Sequence, residues 1–144
     1  MLLGLMGSSE MMVGEEDLVS QTGGIDVDVL STPRLIQLME AAAIHSIEDY
    51  MAPDQLSLGT QVRMKHLSPT PRGMKVTAHA LLKEVNGNRL LFIVDAYDDV
   101  EKIAEGEHER ILVSRQRFLE RVGRKKVPVI HPLMGEGTGE CDGR

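Results

Sequence analysis

The sequence predicts an α+β domain in which an antiparallel sheet wraps around one long helix. Two observations support this fold class. Residues 32–51 repeat apolar side chains at the spacing of a helix, and four later stretches alternate apolar and polar side chains as strands do. Asn86 and Gly87 separate two of those stretches and supply residues that suit a tight hairpin turn.

The predicted helix begins at Thr32-Pro33, because a threonine hydroxyl caps free backbone donors and proline suits the first helical position. It ends near Pro53, since proline cannot continue a helix. Its apolar stripe consists of Ile36, Met39, Ala43, Ile47 and Tyr50. Glu40 lies within that stripe, and a carboxylate there needs a partner or a function.

The predicted strand after the helix, residues 57–66, carries a second unusual residue. Leu58, Thr60, Val62 and Met64 alternate as its inward face, and His66 has the same parity. Thr32, Glu40 and His66 therefore belong to one pair of neighbouring elements. Each alone has an ordinary explanation, as a helix cap, a residue at the edge of the stripe and a solvated strand end.

The remaining strands are expected at residues 74–85, 89–97 and 102–114, after a first strand within residues 1–14. The last of them places small Gly106 together with His108 and Arg110 on one parity, and a row of glutamates on the other. A short helix near Glu15, ahead of the central helix, is a candidate lid over a pocket.

Three segments resemble the hot-dog-fold acyl-CoA thioesterases related to fluoroacetyl-CoA thioesterase: STPRLIQLMEAA, SLGTQVRMKHLSPTPRGMKVTA and EGEHERILVSRQRFLERV. The resemblance covers about residues 13–122. It implies a hot-dog fold, hydrolysis of an acyl-CoA to free acid and CoA, and a homodimer or dimer of dimers with sites at the interface. It also implies catalytic roles for Thr32, Glu40 and His66, and substrate-binding roles for Gly59 and Arg110.

Several chemical routes remain open at this stage. Glu40 either attacks the thioester or activates water, with His66 moving a proton; alternatively Thr32 attacks or holds the substrate. Arg110 either pairs with a neighbouring glutamate or orients the site. Thr32 and Glu40 are roughly 12 Å apart along a helix axis, so either the threonine lies off the axis or the site closes across a dimer.

Two other functions compete with hydrolysis. One is an acyl-CoA-binding or ligand-sensing module without turnover, and the other, less favoured, is a dehydratase acting on hydroxyacyl-CoA. Retention of all three catalytic residues argues against both. The fluoroacetyl-CoA enzyme covers its pocket with aromatic residues, but no aromatic residue precedes Tyr50 here. This difference favours another short or medium acyl group.

Composition sets further limits. The 144 residues suit one domain, predicted over 1–122, followed by a polar tail over 123–144 with a basic cluster from Arg121 to Lys126. A net charge of −6 argues against nucleic acid or an anionic membrane as partner.

No cofactor is predicted, because His45, His79, His108 and His131 lack the paired spacing of a zinc site. A single cysteine, Cys141, excludes an intramolecular disulfide framework and suits a reducing compartment. The apolar start MLLGLM has no basic leader and is too short to span a bilayer, so we expect a cytoplasmic protein.

Overall fold

The computed structural model describes residues 1–126, which divide between two compact units. The first unit is Met1–Val113 and the second begins at Ser114. His131, Cys141 and most of the predicted tail lie outside the described residues.

The first unit is built on a five-stranded sheet with the strand order β1-β3-β4-β5-β2. Its strands are β1 (Met6–Met12), β2 (Gln55–His66), β3 (Lys75–Asn86), β4 (Arg89–Tyr97) and β5 (Lys102–Ser114). β3 pairs antiparallel with β1 and β4, and β4 pairs antiparallel with β5. The predicted hairpin is confirmed: Asn86 faces Arg89 across the turn, and Gly87 adopts a φ of 67°.

The central helix, α2 (Thr32–Ile47), packs on the inward face of this sheet and is continued by a 3₁₀ turn, Glu48–Tyr50. Its buried side is Leu35, Leu38, Met39, Ala42, Ala43, Ser46 and Ile47. The prediction that Tyr50 closes the stripe is wrong, because the 3₁₀ turn changes the angular spacing and leaves Tyr50 54% exposed. Glu40 is half-buried at the edge of the stripe.

Small residues on the inward face of the sheet bring the helix close. The predicted alternation is confirmed in β3 and β4, whose buried residues are Val76, Ala78, Ala80, Leu82, Leu90, Phe92, Val94 and Ala96. In β1, a Cβ added to Gly7 would meet the Ala42 carbonyl and would lie 2.5 Å from the Ser46 nitrogen. The backbone of β1 therefore lies directly against α2, and only glycine fits there.

The edge strand β2 is less regular than predicted. Gly59 faces Glu40 and Met64 packs against the core, although the two residues are five positions apart and would point to opposite faces of a regular strand. β2 therefore changes phase between these positions, as a β-bulge would cause. The inward placement of Thr60 is wrong, since its hydroxyl bonds a carboxylate oxygen of Glu109 at 2.6 Å.

Short elements precede α2. A 3₁₀ turn (Glu15–Asp17) and α1 (Val19–Thr22) are held to the start of α2 by Arg34, whose Nε donates to the Asp17 carboxylate at 2.9 Å. Ser31 also donates its backbone N–H to the Asp17 carbonyl at 2.8 Å. These contacts fix the predicted lid segment at the beginning of the helix.

The second unit contains α3 (Arg115–Arg124), whose N-terminus is capped by the hydroxyl of Ser114. This helix spans residue 122, where we predicted the domain to end, and that boundary stays a prediction. Within residues 1–126, no helix has the length and apolar character needed to cross a membrane.

Candidate active site

The first part of the candidate site lies at the start of α2. The cap of this helix is Ser31, whose hydroxyl accepts a hydrogen bond from the backbone nitrogen of Arg34 at 3.3 Å. Assignment of the cap to Thr32 is therefore wrong. Because Ser31 does the capping, the Thr32 hydroxyl is free to contact Nδ1 of His66 at 2.8 Å.

His66 is held in a form that accepts a proton. Burial lowers the pKa of its imidazole below 6.5, which the nearby backbone of Ser68 opposes in part. In the tautomer protonated at Nε2, the Thr32 hydroxyl donates to Nδ1, the hydroxyl–imidazole arrangement that activates a nucleophile. The Nε2 atom is buried and has no hydrogen-bond partner among the described residues.

Thr32 and His66 line a cleft of about 360 Å³. Its other lining residues are Val19, Val29, Leu30, Leu67, Ser68 and Pro69. Apart from the imidazole of His66, the described walls carry no aromatic ring. The cleft thus offers a largely aliphatic surface next to a polar pair, which suits an acyl chain attached to a reactive carbonyl.

The second part of the site surrounds Gly59. A Cβ built on this glycine would lie 3.0 Å from Oε2 of Glu40, 3.2 Å from Cε1 of His108 and 3.3 Å from Nη1 of Arg110. Gly59 therefore leaves a notch between a carboxylate and a guanidinium. Among the described residues, no hydrogen-bond donor or cation lies within bonding distance of the Glu40 carboxylate.

Arg110 is only 6% exposed, and three of the N–H groups of its guanidinium contact neutral acceptors. Nε donates to the Ser57 hydroxyl at 3.0 Å, and Nη2 donates to the Ser57 carbonyl at 2.8 Å. Nη1 lies 3.1 Å from Nε2 of His108. An ion pair with a neighbouring glutamate is not what holds it, since Glu109 bonds Arg89 instead, at 2.6 Å.

The structure thus brings the five predicted residues together as two groups: Thr32 with His66, and Glu40 with Gly59 and Arg110. It does not bring the groups into contact within one chain. Sequence reasoning missed Ser57 altogether. It noted that His108 shares parity with Arg110 but assigned it no role, although its side chain is 1% exposed.

Two further histidines, His45 and His79, have exposed side chains. Within residues 1–126, no three histidine, cysteine or acidic side chains converge so as to hold a metal ion.

Comparison with known proteins identifies the family. Residues 13–116 match the model of the fluoroacetyl-CoA-specific thioesterase family. A fluoroacetyl-CoA thioesterase from Streptantibioticus cattleyicolor is 38% identical over 101 residues, which cover 70% of this chain and 72% of that protein. The chain belongs to the fluoroacetyl-CoA-specific thioesterase family. It is therefore an acyl-CoA thioester hydrolase, and the enzyme class predicted from sequence is confirmed.

Solved structures confirm the fold. A threonine-to-serine variant of fluoroacetyl-CoA thioesterase in complex with acetyl-CoA superposes with a TM-score of 0.81 at 30% identity, covering 89% of this chain and 100% of that one. A hot-dog-like protein from Thermanaerovibrio acidaminovorans gives a TM-score of 0.80 at 23% identity, covering 88% and 94% of the two chains. The sheet wrapped around α2 is the hot-dog fold.

Adjacent hydroxyls at the helix start allow capping and chemistry to be tested separately. Ser31→Ala should lower the free energy of unfolding by about 1 kcal/mol, because it removes the cap. Thr32→Ala should leave stability nearly unchanged but lower kcat by about 100-fold or more, since it removes the group bonded to His66. Denaturant unfolding and thiol-release kinetics on the same samples measure both; the reverse pattern would show that Thr32 is a cap.

Half-buried His66 and buried His108 predict a pH dependence of stability. Burial lowers the pKa of His66 and of His108 in the folded protein, and the charge of Arg110 lowers that of His108 further. The unfolded chain therefore binds more protons just below pH 6.5, so stability is fully present above that pH and is lost as pH falls toward the folded pKa values.

Urea unfolding at pH 7.5, 6.5 and 5.5 checks this expectation. The fall in the free energy of unfolding between pH 7.5 and pH 5.5 should be smaller in His108→Gln than in the parent protein, because glutamine does not titrate. An exposed histidine that contacts a neutral carbonyl, His45, provides the matched control His45→Gln, whose free energy of unfolding should decline as that of the parent does. If the free energy of unfolding fell equally with pH in all three proteins, His108 would not be a source of the pH dependence.

Proposed function

We propose that this thioesterase hydrolyses a short or medium acyl-CoA other than fluoroacetyl-CoA, with Thr32, Glu40 and His66 as its catalytic residues. The observation that supports this proposal most directly is the 2.8 Å contact between the Thr32 hydroxyl and Nδ1 of His66 beside an aliphatic cleft. The absence of any Phe, Tyr or Trp before Tyr50 argues against the aromatic cover of the fluoroacetyl-CoA enzyme.

In the proposed reaction, Oγ1 of Thr32 attacks the thioester carbonyl while its proton moves to Nδ1 of His66. The C–S bond then breaks, and the sulfur of CoA leaves with the proton from His66. Water next attacks the acyl-threonine ester, giving its proton to His66, and the free acid departs as Thr32 regains its hydrogen. The positive end of the α2 dipole, at the helix N-terminus, favours the negative charge that develops on the carbonyl oxygen.

Glu40 completes the site from the other subunit of a homodimer. When Nδ1 of His66 accepts from Thr32, Nε2 carries a hydrogen that is buried without an acceptor among residues 1–126 of its own chain. Glu40 is the complementary group, a carboxylate without a hydrogen-bond donor in the described part of its chain. Because Thr32, the partner of His66, lies roughly 12 Å from Glu40 along α2, a two-fold symmetric pair of chains joins Glu40 to the Thr32–His66 pair better than one chain does.

The sheet edge supports the same assembly. β2 pairs on one side only, and Leu58, Val62 and Met64 stay half-exposed there although they are apolar. An edge strand with uncovered apolar residues is suited to pairing with another chain. We therefore propose a homodimer, or a dimer of such dimers, acting in the cytoplasm.

Substitution of Glu40 tests the assigned chemistry. Glu40→Gln keeps the size of the side chain but removes its negative charge, so kcat on the best substrate from a panel of acyl-CoA chain lengths should fall by about 100-fold or more, with folding preserved. The matched control, Glu48→Gln, removes an exposed carboxylate just after the helix and should leave kcat unchanged.

Two results would overturn parts of this proposal. Near-normal turnover in Glu40→Gln would remove Glu40 from the mechanism. Absence of thiol release by the parent protein over the whole panel, with acyl-CoA binding retained, would favour the non-catalytic binding module.

Mixed dimers test whether the site is shared between subunits. Glu40→Gln and His66→Ala should each be inactive alone, but mixing and reassociating them should give about a quarter of parental activity, because half the dimers would be mixed and each would hold one intact site. A site contained within one chain would stay inactive after mixing. Light scattering of a stable, active monomer would contradict the dimer itself.

A further inference from the structure

His108 is a buried histidine that the proposed reaction does not use. Its ring is almost completely excluded from solvent and stacks on Phe92, with 6.1 Å between ring centroids. Nδ1 lies 2.9 Å from the Gln61 carbonyl on β2, and Nε2 lies 3.1 Å from Nη1 of Arg110. Both ring nitrogens are therefore engaged.

These two contacts fix the position of the proton on the ring. A carbonyl oxygen only accepts, so Nδ1 must carry the hydrogen that bonds Gln61. A guanidinium only donates, so Nε2 must be unprotonated and must accept the hydrogen bond from Arg110. His108 can satisfy both neighbours only as the neutral tautomer protonated at Nδ1.

We propose that His108 and Ser57 are positioning residues that hold the Arg110 guanidinium at the Gly59 notch, beside Glu40. Ser57 accepts from Nε and Nη2 through its hydroxyl and carbonyl, and His108 accepts from Nη1. These three hydrogen bonds, two to Ser57 and one to His108, allow the planar guanidinium only one orientation. The inference rests on the proposed function, because it is Glu40 that gives this orientation a catalytic use.

The neutrality of these acceptors has a chemical consequence. A carboxylate in place of His108 would pair with Arg110 and cancel most of its charge. An imidazole and a hydroxyl satisfy the buried guanidinium without neutralising it. The full positive charge of Arg110 therefore remains available to the Glu40 carboxylate and to negative charge that develops on a substrate in the notch.

Burial and the charge of Arg110 favour the same neutral state of His108. Arg110 on β5 opposes a second positive charge on the ring, while Glu40 on α2 and Glu109 on β5 favour one. Burial of the ring opposes protonation more strongly than any of these charges. His108 thus remains neutral while the site works near pH 7.

Spectroscopy tests the geometry without any substrate. In ¹⁵N-labelled protein at pH 7.5, His108 should be protonated at Nδ1 and unprotonated at Nε2, with a titration midpoint below 6.5. His108→Gln identifies the resonances by their disappearance. Protonation at Nε2 would overturn the proposal, because that hydrogen would point at the guanidinium.

Kinetics test the positioning role. His108→Phe keeps a flat ring against Phe92 but offers no acceptor, so kcat should fall about 10- to 100-fold, as expected for a misplaced group, with KM changed less than twofold. His108→Gln supplies a carbonyl acceptor and should restore at least a tenth of parental kcat. Ser57→Ala should lower kcat less, because the carbonyl of residue 57 remains.

A double-mutant cycle separates positioning from general packing. Once Arg110→Met has removed the guanidinium, His108→Phe should cause no further loss of kcat, even if the melting temperature falls again. If His108→Phe lowers kcat by the same factor with and without the guanidinium, His108 does not act through Arg110. If the parent protein hydrolyses no acyl-CoA, the proposed function fails, while the tautomer measurement still decides how Arg110 is held.

Discussion

The close packing of α2 on the inward face of the sheet is the contact on which the rest of the structure depends. Gly7 and the alanines of β3 and β4 allow the helix to approach, and Leu35, Met39 and Ile47 fill the space between helix and sheet. Such cores are packed about as densely as organic crystals, so the helix has little freedom to slide or rotate. Thr32 and Glu40, which we propose as catalytic residues, therefore have fixed positions on the helix.

The Thr32–His66 pair and the cluster of Glu40, Gly59 and Arg110 have different electrostatic surroundings. At the start of α2, Thr32 and His66 form a neutral pair in an aliphatic cleft, where burial keeps the imidazole ready to accept a proton. At the middle of α2, the carboxyl group of Glu40 lies at the Gly59 notch near the buried guanidinium of Arg110. The homodimer that we propose would bring the Glu40 carboxylate of one chain to the Thr32–His66 pair of the other.

The polar cluster around Arg110 shows how a sheet can bury a full charge usefully. Isolated buried cations are costly unless hydrogen bonds replace the lost water. Here the replacements come from β2 and from β5, so the cluster also ties the edge strand to its neighbour. The backbone of β2 approaches closely at Gly106, where a side chain would strike Arg63 and Met64. Stability of the edge and orientation of the guanidinium thus have a common origin.

By itself, the sequence determined the fold class, the central helix, the hairpin and the alternating strands, because helical and strand periodicities are local properties of the chain. It also determined the family, through motifs around Thr32, Glu40 and His66 that lie within short segments. The local pattern could not identify the helix cap, because the adjacent hydroxyls of Ser31 and Thr32 both suit that position. Only the tertiary structure shows that Ser31 caps the helix and that Thr32 contacts His66.

Tertiary structure alone decided the grouping of the site. The phase change in β2 turned Gly59 toward Glu40 and Thr60 toward Glu109, and no local periodicity records such an irregularity. The partnership of Ser57 with Arg110 joins residues 53 positions apart and depends on which strands are neighbours. Contacts of this kind arise from strand order and from the angle of the helix on the sheet, which are set by the whole core and not by any one segment.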